Sequence, residues 1–102
     1  MPYGQFINLL PPAAFLLVHL VGFAIGAYFA YRSFERGAGT LGWGFALFAL
    51  AEIVYMTYHL DWTVFLFAHT IAEVLDLAAF VLVFASVGQR ALAGLRASAA
   101  RS

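Results

Sequence analysis

Cysteine is missing from this 102-residue chain, and so is lysine: all five basic residues are arginine. Without cysteine there can be no disulfide, thiolate metal site, iron–sulfur cluster or thiol nucleophile, so any metal would have to be held by imidazole and carboxylate. Charge is scarce, at 10% of residues against about a quarter in a soluble domain. The formal net charge is zero and the arginines form no basic cluster, which argues against nucleic acid as a partner. The first ten residues hold no Lys or Arg. The basic n-region of a secretory signal peptide is therefore absent, and the first apolar run is expected to stay in place as a helix.

What fills the chain instead is apolar: 65% of residues are hydrophobic and 18% aromatic, including eleven Phe. This composition belongs to an integral membrane protein, and the length allows one domain. Residues 1–12, with Tyr3, Phe6, Leu9 and Leu10 ahead of Pro11 and Pro12, suit a membrane–water interface. Three apolar runs follow, predicting helices over about 12–34, 40–59 and 62–87. At 1.5 Å per residue, about twenty residues cross a hydrocarbon core of about 30 Å. The three-glycine stretch from Arg36 to Gly42 reads as the first turn, and Leu60-Asp61-Trp62 as a short antiparallel hairpin. The expected fold is an all-α, three-helix transmembrane bundle in a single domain, 1–87. An Arg/Ala-rich tail, 88–102, is expected as a short surface helix or a frayed end.

Arg32 and Arg36 lie in the first loop, and Arg90, Arg96 and Arg101 in the tail. Three spans put both segments on one side, so every basic residue favours the same topology: amino terminus outside, carboxyl terminus in the cytoplasm, in a cytoplasmic (inner) membrane. Trp62, Tyr58 and Tyr3 at one boundary, with Trp43, Tyr28 and Tyr31 at the other, would form aromatic belts.

Set into these apolar runs are a few ionisable groups. His69, Glu73 and Asp76 are spaced i, i+4, i+7, within about 60° of one another on a helix face. Glu52, Tyr55 and His59 share a face of the second helix, extended by Phe45 and Phe48. His19 shares a face with the Gly22/Gly26 GxxxG pair, which marks the packing side of the first helix and points His19 inward. Counting from the outer ends, His19, Glu52 and His69 fall at one level, about 10 to 14 Å below the surface. His59 sits at the rim above them, and Glu73 and Asp76 descend toward the midplane. Each charged group at such depth costs several kcal/mol unless compensated, which makes the layer a candidate site.

Three uses of the layer fit its chemistry. A divalent transition metal (Zn, Fe, Mn or Cu) could take Glu52, His59, His69, Glu73 and Asp76 as ligands, because His and Glu at i, i+4 present two donors from one helix. The protein would then transport, sense or use the metal in redox chemistry. Alternatively, a descending ladder of Asp, Glu and His suits a proton or ion path. A chain this small would perform that role as a homo-oligomer or as a subunit of a larger complex. Finally, His19 and His69 at equal depth could supply the axial ligands of a haem or pigment in an accessory subunit of a redox or photosynthetic complex, although Glu52 between them counts against it. The bland reading is polar glue, such as a protonated His69 against Glu52 with Glu73 hydrogen-bonded nearby. No Ser or Thr is placed beside a His as a nucleophile, so a hydrolase is disfavoured.

Overall fold

The computed structural model describes residues 3–101 of the chain and is helical throughout, with no strand among the described residues. A 3₁₀ helix, Gln5–Leu9, precedes α1 (Pro12–Glu35), α2 (Gly39–His59) and α3 (Phe65–Arg101). Of the interfacial segment expected at the amino terminus, Met1 and Pro2 lie outside the described residues. Tyr3, Phe6 and Leu9 present their side chains at the surface, as that reading requires.

Local chemistry sets each boundary. Pro11 is extended and Pro12 opens α1, where its missing N–H has no intrahelical partner to lose. α1 closes on Gly37 in the left-handed region (φ 78°). The Gly37 N–H donates to the Phe34 carbonyl at 3.0 Å and the Ala38 N–H to the Ser33 carbonyl at 2.8 Å. These are the two bonds of a Schellman cap. α2 ends in the same way on Asp61 (φ 63°), with Asp61 N–H to Tyr58 O at 3.0 Å and Trp62 N–H to Thr57 O at 2.9 Å. Both caps reverse the chain within a few residues, so consecutive helices run antiparallel.

Each of the three helices is long and apolar enough to cross a membrane, and the chain is a multi-pass membrane protein. α2 lies in the middle: α1 and α3 each pack on it, and their backbones do not meet. The result is a layer of three helices, 61 × 32 × 20 Å overall. Its interior is built from small residues. Among the described residues, Ala30, Ala49, Ala51, Ala68, Ala72 and Ala79 are the buried apolar side chains, and no large side chain is fully enclosed. Two glycine positions set the spacing. A Cβ on Gly26 would stand 2.8 Å from Phe48 and 3.2 Å from the Ala49 methyl, and one on Gly44 would stand 2.9 Å from Val83. Lipid tails are as apolar as Leu, so helices in a bilayer gain by close approach over small residues more than by burying large ones.

α3 departs from the expected outline at both ends. It begins at Phe65, after Trp62-Thr63-Val64 have completed the turn, and it continues through Gly88 to Arg101 in one piece. The segment read as a tail is a helical extension. Gly88 and Gly94 each cost the helix about 1 kcal/mol, while Ala91, Ala93, Ala97, Ala99 and Ala100 around them are the strongest helix formers available. Below, the end of the layer carrying the α2–α3 turn is called the hairpin end, and the one carrying Arg32 and Arg36 the arginine end.

Candidate functional site: an ionisable face within the membrane

The α2 stripe Phe45, Phe48, Glu52, Tyr55 and His59 runs along one face of the layer, flanked by matching stripes on α1 and α3. Gly26 and Phe29 of α1, Phe45 and Phe48 of α2, and Asp76, Phe80 and Val83 of α3 line one groove. Helical register carries the α1 stripe on to Gly22 and His19, and the α3 stripe on to Glu73 and His69. All the ionisable groups singled out in the spans therefore belong to this face.

At its centre α1 and α2 are joined by a hydrogen bond of 2.6 Å between His19 Nδ1 and Glu52 Oε2, with both side chains largely shielded (19% and 14% exposed). Gly22 makes the approach possible: a Cβ there would stand 3.0 Å from the Glu52 carboxyl carbon. The His19 ring stacks between Tyr55, at 4.9 Å, and His59, at 5.3 Å. His59 in turn stacks on Phe15 at 5.1 Å and lines a cavity of about 360 Å³ at the hairpin end, together with Asp61, Tyr58 and Pro12. The column Phe15–His59–His19–Tyr55 thus links the hairpin end to Glu52.

α3 carries the second part. His69 Nε2 lies 3.9 Å from Glu73 Oε1, and both are about half exposed (44% and 54%). The His69 ring stacks on Phe65 at 5.1 Å. Glu73, Asp76 and Glu52 are all within electrostatic range of Tyr55, and Asp76 is within range of the two glutamates. Asp76 points one carboxylate oxygen, Oδ1, into the protein, where it is buried with no hydrogen-bond partner.

No protein-family model, curated protein or solved structure matches this chain.

The structure pairs the expected layer differently in one respect. The partner of Glu52 is His19, not His69: α1 and α2 touch at Gly22, whereas His69 turns to Glu73 on its own helix. His59, expected at the rim above this level, lines the hairpin-end cavity and stacks on His19. Among the described residues, no three His, Asp or Glu side chains converge as a metal-holding group. His19 and His69, the pair considered for a macrocycle, sit on α1 and α3, the two helices that flank α2. Of the two ring partners, Tyr55 was expected on the face of Glu52 and His59, and Phe15 is the one that sequence reasoning did not place in the site.

Proposed function

We propose that this chain handles protons within the membrane, as part of an assembly that carries them from the surface at the hairpin end toward the bilayer midplane. The single observation that supports this reading is the His19–Glu52 hydrogen bond of 2.6 Å, set inside two membrane-spanning helices. An imidazole and a carboxylate in such contact share one proton, which can reside on Nδ1 or Oε2. Transfer from Nδ1 of the imidazolium to Oε2 turns an ion pair spread over two helices into a neutral pair. His59 supplies the entry, between the cavity at the hairpin end and His19. Glu73 and Asp76 extend the path inward from Glu52, each within electrostatic reach of the next acid. A ladder of His, Glu and Asp at increasing depth is the arrangement intramembrane proton relays use. The arginines favour placing the hairpin end outside and the arginine end in the cytoplasm.

The test is proton flux into liposomes containing the purified chain, driven by a potassium diffusion potential and read by an internal pH dye. Wild type is expected to exceed protein-free vesicles. Glu52→Gln, which keeps a hydrogen bond but cannot carry the proton, and His19→Ala are expected to lose about tenfold or more of that flux. Wild-type flux no faster than in empty vesicles would overturn the reading.

A second reading, a divalent transition metal site, is favoured by the half-exposed His69–Glu73 pair. Two donors from one helix are half of a four-coordinate site, and a second copy of the chain would supply the other half. Protein purified without chelators would then carry about one zinc, iron, manganese or copper ion per two chains, and His69→Ala would carry none. Equal metal content in both would remove this reading.

A further inference from the structure

We infer that the groove around Asp76 is a binding site for a lipophilic organic cation, a molecule with an apolar body and one ammonium or comparable positive centre. The groove encloses about 420 Å³ and is lined from all three helices, with Phe29, Phe45, Phe48 and Phe80 forming most of its aromatic wall. That volume falls in the range of small-molecule sites, about 300 to 1,000 Å³. Asp76 is the one ionisable residue in its lining, and its Oδ1 lies buried beneath the groove surface with no hydrogen-bond partner.

The position makes this more than an apolar cleft. Asp76 lies eleven residues into α3, about 17 Å along the helix and near the middle of a bilayer. A carboxylate left unpaired there is costly, so the site selects an occupant that brings positive charge or a strong donor. The chain itself cannot bring a fixed cation, because no Arg or Lys occurs between Arg36 and Arg90 or before Arg32. A second copy of the same chain cannot either. An inorganic cation would need several oxygen ligands, and the lining offers one carboxylate among aromatic and aliphatic side chains. Phe faces attract a cation through their negative π-surface, while the apolar walls accept the rest of the molecule. Together the wall and the carboxylate charge fit a hydrophobic amine or onium ion and discriminate against a neutral lipid tail, which brings nothing to compensate that charge. The inference does not rest on proton movement through His19 and Glu52.

The experiment is equilibrium dialysis of radiolabelled tetraphenylphosphonium against the full chain in lipid nanodiscs, with empty nanodiscs subtracted. Saturable binding is expected for wild type. Asp76→Asn is expected to weaken it by about tenfold or more, since a charged contact is lost. Phe48→Ala, which keeps the carboxylate, should weaken it about threefold. Asp61→Asn, in the turn, should bind as wild type does, and circular dichroism of every variant checks that the helices persist. If wild type shows no saturable component above empty nanodiscs, or if Asp76→Asn binds as tightly as wild type, the inference is wrong. A loss of proton flux in Glu52→Gln with unchanged tetraphenylphosphonium binding would show that cation binding at Asp76 does not depend on proton transfer between His19 and Glu52.

Discussion

Glu52 reaches His19 because residue 22 is a glycine. The space a Cβ would take is occupied by the Glu52 side chain at 3.0 to 3.2 Å, so Gly22→Ala pushes the carboxylate away from α1 without altering either partner. The strength of the pair can be read directly in a double-mutant cycle with His19→Ala and Glu52→Ala, using unfolding in mixed detergent–lipid micelles. Interhelical polar contacts in membranes contribute about 0.6 kcal/mol on average and at most about 1.7. The upper part of that range is expected here, because the contact is short, partly shielded and charge-assisted. A coupling energy indistinguishable from zero would mean that the hydrogen bond organises nothing, and it would also remove the observation that supports proton handling.

The glycines of the helices divide into those that set contacts and those that do not. A Cβ at Gly26 would meet Phe48 at 2.8 Å and the Ala49 backbone nitrogen at 3.3 Å, and backbone cannot move aside. Gly26→Ala is therefore expected to destabilise the α1–α2 contact by about 1 to 3 kcal/mol. Gly88→Ala meets nothing within 4 Å in the middle of α3 and should stabilise the helix by up to about 1 kcal/mol. Thermal unfolding followed by circular dichroism distinguishes the two; equal effects would show that neither glycine is read by its surroundings. The three spans were legible in the sequence because apolar run length is itself the physical requirement for crossing a bilayer. The Gly22/Gly26 face was legible too, since small residues mark where another helix can come close. The continuation of α3 past Gly88 was not: a glycine ahead of polar residues resembles a helix end, and only the alanine content beyond it argues otherwise. Nor was the choice of His19 over His69 as the partner of Glu52. Counting residues gives the depth of a side chain in the membrane, whereas pairing depends on which flank of α2 each neighbour occupies.

At the scale of the whole molecule, the open layer is the fact with the largest consequence. α1 and α3 touch only α2 through their backbones, so the face bearing His19, Glu52, Glu73 and Asp76 is not closed by the chain's own helices. His69 and Glu73 stand about half exposed on a membrane-length helix, where contact with lipid is expensive. A second copy facing the first about a two-fold axis along the membrane normal would relieve this cost, setting equal depths against each other and bringing two His69–Glu73 pairs together. The absence of cysteine makes this directly measurable, because any introduced thiol is the only one present. Leu66 is exposed and lies one turn from His69 on the same stripe, while Leu17, also exposed, lies on the side of α1 turned away from His19. Leu66→Cys is expected to form a disulfide-linked dimer in membranes under mild oxidant, read on a non-reducing gel, and Leu17→Cys is not. Cross-linking at both positions alike would indicate random encounter, and at neither would leave His69 and Glu73 facing lipid or a different protein. In either case the four-ligand metal site would lose its second half, while the His19–Glu52 pair, complete within one chain, would stand unaffected.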